Sequence, residues 1–102
     1  MTRTIMLLCC LGLPVASGQA IGAEAEAGRQ LAQLRCSPCH IVAPNQRQEI
    51  ADAPPFEVIG RKFGFNSDLL VMNLMGPHAK MNFSLRRSDA DNIAAYIATL
   101  AR

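Results

Sequence analysis

Tryptophan is absent from this 102-residue chain, tyrosine occurs once and phenylalanine four times. No basic run with interleaved aromatics exists, which sets nucleic acid aside as a partner. Charge is sparse as well, at 18% of residues and a net +2, so any charge-guided docking must come from local patches rather than from a net field. No stretch alternates apolar and polar residues as a half-buried strand would. No apolar run reaches the ~20 residues that span a bilayer. With no internal repeat, the chain is at most one small domain.

The opening stretch shortens that domain. Met1 to Arg3 give a short positive start, Ile5 to Val15 an apolar run, and Gly18-Gln19-Ala20 a small-x-small cleavage site. Residues 1–20 are therefore expected to be a secretory signal peptide, removed on export to the periplasm, with cleavage after Gly22 or Ala23 as a variant. An uncleaved anchor needs a longer run, so stable membrane insertion is not expected. Cys9 and Cys10 read as small apolar filler in the leader. A lipoprotein anchor would want a small residue before the modified cysteine, where Leu8 and Cys9 stand.

The mature part, 21–102, keeps two of the four cysteines, eight acidic residues and all the basic ones except Arg3. At ~80 residues it is near the size at which apolar burial alone is marginal, and small domains of this kind usually carry a staple. The staple is legible. Cys36-Ser37-Pro38-Cys39-His40 is the C-x-x-C-H pattern of covalent haem attachment. Two thiols three positions apart lie on one side of a helical turn, so both can bond one porphyrin while His40 brings an imidazole beneath the iron. A thiol–disulfide couple would use the same C-x-x-C but normally sits beside a βαβ pattern, which is missing.

The rest reads as helices able to enclose a flat apolar disc. Ala23 to Arg35 is expected to be helical, with Glu24 and Glu26 in its first turn and a face of small residues, Ala27, Gly28, Leu31 and Ala32. Gly28 costs ~1 kcal/mol against Ala in a helix interior, which points to another helix crossing there. Pro44 is expected to stiffen the backbone whose carbonyl orients His40. Gln46 to Ala53 reads as polar loop. Pro54-Pro55 opens a short helix bearing Phe56, Ile59 and Phe63, stopped by Gly64. Asn66 and Ser67 cap a helix through Met75 that is apolar almost all round, which predicts burial on more than one side. Gly76 to Arg87 has no sustained period. Ser88 is expected to begin the last helix, with Asp91 completing a capping box and Ile93, Tyr96, Ile97 and Leu100 forming the cleanest amphipathic stripe.

A haem that shuttles electrons needs a sixth ligand, because an open position would let oxygen or peroxide bind. Met81 leads: it stands in an irregular segment after Gly76-Pro77, where an apolar residue flanked by Lys80 and Asn82 has reason to turn inward. His78 is the rival and predicts a lower potential. Met72 and Met75 read as core or pocket packing.

Four segments in this order carry a resemblance: Gly28 to His40, Ala53 to Ile59, Gly76 to Met81, and Asn92 to Leu100. Together they resemble class I cytochromes c, most nearly the small bacterial periplasmic monohaem members, over nearly all of the mature chain. The resemblance implies an all-α fold with helices wrapped around one covalently bound haem c. It implies Cys36 and Cys39 as the covalent attachment residues and His40 and Met81 as axial ligands, with Gly28 against Tyr96 where the first and last helices cross. Relatives commonly place proline after the histidine of the ligand loop and again after the methionine, where Ala79 and Asn82 stand here. Fewer prolines leave that loop less pre-set.

The resemblance implies a monomeric electron carrier, not an enzyme, that meets protein redox partners as donor and acceptor. Lys62, Lys80, Arg86 and Arg87 fall in segments that can border an exposed haem edge. A dedicated subunit of a periplasmic dehydrogenase or oxidase is the alternative, served by the apolar helix at Leu69 to Met75. A sensor or peroxidase would require Met81 to be unbound.

Overall fold

The computed structural model describes residues 11–13, 23–46, 53–78 and 81–102. The expected signal peptide, apart from Leu11 to Leu13, most of the stretch expected to be polar loop, and Lys80 fall on residues outside the described ones. Four helices follow one another: α1 (Ala25–Arg35), α2 (Phe56–Lys62), α3 (Ser67–Met75) and α4 (Arg87–Ala98). No strand occurs among the described residues, so the chain is all-α, as the absence of alternation implied.

The last helix organises the others, packing against α1, α3 and α2. Its stripe of Ile93, Tyr96 and Ile97, continued by Leu100, is buried throughout, and each such side chain contributes ~1.5–3 kcal/mol when removed from water. The crossing with α1 is close enough that a Cβ on Gly28 would stand 1.9 Å from the Asn92 carbonyl oxygen and 2.9 Å from the Ile93 nitrogen. The crossing is as expected, and the atoms nearest Gly28 across it are the backbone of Asn92 and Ile93, about a turn before Tyr96. The Glu24 N–H, just ahead of α1, donates to Asn92 Oδ1 at 2.9 Å and ties the start of α1 to the same helix.

The beginning of α4 also differs from the expected cap. Arg86, not Ser88, is the N-cap, and Asp89 Oδ2 accepts from the Arg86 backbone N–H at 3.4 Å and its guanidinium at 3.1 Å. Asp91 instead receives Arg87 at 3.1 Å. The carboxylate three residues after Arg86 is in reach of the free N–H, so the helix starts one residue earlier than Ser88.

Asn66 caps α3 as expected, its side chain accepting from the Leu69 N–H at 3.1 Å. Burial of that helix is one-sided, however. Leu70 and Val71 are buried, whereas Leu69 is 46%, Met72 71% and Met75 48% exposed. Met72 is therefore not core. The turn between α2 and α3 uses left-handed backbone at Gly64 and Phe65, which folds the Phe65 ring back against Gly60, where a Cβ would stand 2.3 Å from it.

Candidate functional site

The C-x-x-C-H stretch is built on the end of α1. The Cys36 and Ser37 N–H groups both donate to the Ala32 carbonyl, closing the helix. A further turn follows at once, in which Cys39 N–H and His40 N–H both donate to the Cys36 carbonyl, at 3.0 and 2.8 Å. That i→i+4 bond brings His40 onto the same side as Cys36. Cys36 is half-buried, Cys39 exposed and His40 buried. Burial first, and then the neighbouring Cys39, push the Cys36 thiol up to about 11, so the free thiol is protonated at neutral pH.

His40 is 9% exposed and its orientation is set by the backbone. Nδ1 lies 2.6 Å from the Pro54 carbonyl oxygen. A carbonyl can only accept, so Nδ1 carries the proton and donates. Nε2 is then the nitrogen whose lone pair is available to a metal, the arrangement typical of a ligating imidazole. The Phe56 ring stands beside it with centroids 5.5 Å apart, and Tyr96 lies behind Phe56 at 6.5 Å.

The expected support from Pro44 is replaced by two others. Pro54 supplies the carbonyl. Gln46 holds the strand of chain after the histidine: its Nε2 donates to the His40 carbonyl at 3.0 Å, and its Oε1 accepts the Val42 N–H at 2.9 Å. The Phe56 N–H donates to the Ile41 carbonyl at 2.9 Å, and Tyr96 Oη donates to the Val42 carbonyl at 2.5 Å. Nothing in residue type marked Pro54 or Gln46, because a carbonyl acceptor has no side-chain signature and a glutamine in a polar stretch reads as solvated.

His40 faces a cavity of about 840 Å³, within the range of small-molecule and cofactor sites. Cys36, Cys39, His40 and Met81 all line it, so the four expected site residues come together. Phe56, Ile59, Phe63, Leu70 and Ile97 furnish apolar walls from three helices, and Arg35 and Lys62 are charged residues on its boundary. Arg35 lies 4.9 Å over the Phe83 ring and Lys62 5.5 Å over Phe63. His78 lines the cavity too, its ring centroid 5.9 Å from that of His40.

These features fit a haem: two cysteines at the rim, an imidazole with a fixed tautomer, an apolar slot, and cations suited to carboxylates. Met75 lines only a smaller neighbouring cavity of about 290 Å³, and Met72 lines neither. Arg86 and Arg87 are ion-paired with Asp89 and Asp91 on the surface, and such exposed pairs contribute little to stability.

Among proteins of curated function, the chain is similar to cytochrome c-552 of Bradyrhizobium diazoefficiens, with 44% identity over 94 residues, covering 89% of this chain and 90% of that protein. No protein-family model matches the chain, and no solved structure does.

Proposed function

The chain belongs to the c-type cytochrome family, and on that premise we propose that it is a periplasmic electron carrier using His40 and Met81 as axial ligands and Cys36 and Cys39 as attachment points. Its covalently bound haem c supplies one-electron exchange between Fe(III) and Fe(II). The observation that carries the ligand assignment is the 2.6 Å bond from His40 Nδ1 to the Pro54 carbonyl. It leaves the Nε2 lone pair for the metal and holds the ring so that little has to move when the oxidation state changes.

Met81 is half-buried at the same cavity, and a thioether opposite imidazole favours the reduced form and raises the potential. The mainly apolar walls lower the polarity around the site, which further disfavours the more highly charged state. Arg35 and Lys62, at the cavity boundary, are placed to guide an acidic partner into a small transient contact. Export through the leader at 1–20 would deliver the chain to the periplasm.

The test is spectroscopic. Protein recovered from the periplasm should lack residues 1–20, weigh one haem more than its polypeptide after denaturation, and show a sulfur-to-iron near-infrared band when oxidised. Replacing both Cys36 and Cys39 by Ala should abolish the retained pigment. Absence of the band from the wild-type protein overturns Met81 as ligand, and a denatured mass of bare polypeptide overturns the attachment.

A second reading is favoured by the exposed apolar residues of α3. Leu69 and Met72 face solvent, as a subunit held in a lasting complex with a periplasmic dehydrogenase or oxidase would require. Copurification with a larger enzyme at high salt would select it over a free carrier.

A further inference from the structure

The backbone from His40 to Val42 is held from three directions, and one of them serves the site alone. The Val42 carbonyl accepts from Tyr96 Oη on α4, and the Ile41 carbonyl from the Phe56 N–H on α2. The His40 carbonyl accepts from Gln46 Nε2 at 3.0 Å, and Gln46 Oε1 takes the Val42 N–H at 2.9 Å. Tyr96 and Phe56 also belong to the apolar core, whereas Gln46 stands half-buried, outside all four helices and outside that core. Its carboxamide spans His40 to Val42, donating at one end and accepting at the other.

A second observation concerns how Gln46 reaches back. Residues 43–46 make a turn closed by the Gln46 N–H on the Ala43 carbonyl at 3.1 Å, with Pro44 in the second position, where its fixed φ suits the turn. Pro44 thus bears on His40 one step removed, by returning Gln46 to the stretch it clamps. A carboxamide supplies a donor and an acceptor from one planar group, whereas a carboxylate only accepts. A glutamate of the same length would satisfy the Val42 N–H and set an oxygen against the His40 carbonyl.

Building on the reading of His40 as an axial ligand, we propose that Gln46 is a positioning residue for the redox site: by fixing the main chain from His40 to Val42 it keeps His40 Nδ1 on the Pro54 carbonyl, and so sets the reduction potential. Pro54 stands two residues before Phe56, whose N–H is bonded to the Ile41 carbonyl. The ring donor and its acceptor therefore ride on two segments joined beside the histidine, and a shift of the His40 backbone about that joint alters the Nδ1–oxygen separation of 2.6 Å directly. An imidazole that shares its Nδ1 proton with a carbonyl is the stronger ligand. Loosening the bond weakens that ligand and raises the potential.

The experiment compares holoproteins by three readouts: exchange of the His40 Nδ1 proton followed by NMR in the reduced protein, potential by redox titration, and melting temperature. Gln46→Leu removes both bonds, Gln46→Glu keeps the acceptor alone, and Gly28→Ala disturbs the α1–α4 crossing away from the site. Gln46→Leu is expected to exchange the proton roughly tenfold or more faster than wild type and to have a higher potential. Gln46→Glu should move both in the same direction, and either Gln46 variant alone decides the matter. Gly28→Ala should melt earlier with its potential unchanged. Wild-type exchange and potential in a Gln46 variant, with or without a lower melting temperature, would make Gln46 a loop brace and overturn the positioning role while leaving His40 as ligand. An equal rise in potential in Gly28→Ala would overturn it too, as a general response to lost stability. A wild-type chain that retains no haem after denaturation would overturn both this assignment and the reading it rests on.

Discussion

The α1–α4 crossing and the wall formed by α2, α3 and the residues Pro77, His78, Met81, Phe83 and Leu85 are built on opposite plans. At the crossing, Gly28 and Ala32 let two backbones meet, and Ala90, Ile93, Ala94 and Ile97 fill what space is left. The chain completes itself there. Across from it, Phe56, Ile59, Phe63 and Leu70 border about 840 Å³, and no side chain of the described residues fills that volume. One half of the core is polypeptide against polypeptide, and the other is polypeptide shaped to receive a cofactor. Small residues mark the first half, and a ring of large apolar ones marks the second.

That contrast can be broken at three points. The largest effect is expected from Gly28→Ala, because a Cβ 1.9 Å from a backbone oxygen can be housed only by moving the helices apart. Overpacking of this kind costs roughly 3 kcal/mol, a drop of more than ~10 °C in the melting temperature of so small a domain. The holoprotein should keep its spectrum while melting earlier, whereas an unchanged melting point would mean the crossing is loose.

Tyr96→Phe should come next, since it strands the buried Val42 carbonyl that Tyr96 Oη satisfies, at a cost of about 1–3 kcal/mol. It also has a pH signature. Burial holds the Tyr96 phenol above its ordinary value of 10.0, so the folded state keeps the proton when the unfolded state has begun to lose it. The stabilisation is whole below about pH 10 and is lost as pH rises through the folded value. Guanidinium titrations from pH 8 to 11 should show that alkaline decline in wild type and a shallower one in Tyr96→Phe.

The smallest effect belongs to Met72→Ser, on the exposed face of α3. It should change stability by less than ~0.5 kcal/mol, where a buried methionine would cost several times more. A large loss in the isolated holoprotein would place Met72 inside after all. No loss there, with weaker association to a larger enzyme, would sharpen the view of α3 as a contact face.

Much of this was legible in the residues, and the reasons differ by element. The stripe Ile93, Tyr96, Ile97, Leu100 has a single apolar side, so its period also says which way it faces, and all four are buried. The α3 segment is apolar on every side and its pattern therefore carries no direction. Only its docking against α4 selects Leu70 and Val71 for burial and leaves Met72 outside. The convergence of Cys36, Cys39, His40 and Met81 on one cavity followed from motif spacing and an isolated apolar residue in a loop. The residues that hold His40 in place were not legible, because Pro54 acts through its backbone and Gln46 through a side chain common in any polar loop. The cap of α4 moved to Arg86 because Asp89 and Asp91 both offered a carboxylate, and sequence alone does not say which one the free N–H reaches.

The bond from His40 to the Pro54 carbonyl has an evolutionary side. Every amino acid contributes a carbonyl, so no change of letter at position 54 deletes the acceptor itself; only a detour of the main chain can. The property most sensitive to that contact, the electron-donating strength of the imidazole, is thereby sheltered from point mutation at the contact itself and exposed to it at Gln46, whose amide pins the neighbouring backbone. Drift in the redox behaviour of such a protein should enter through that glutamine.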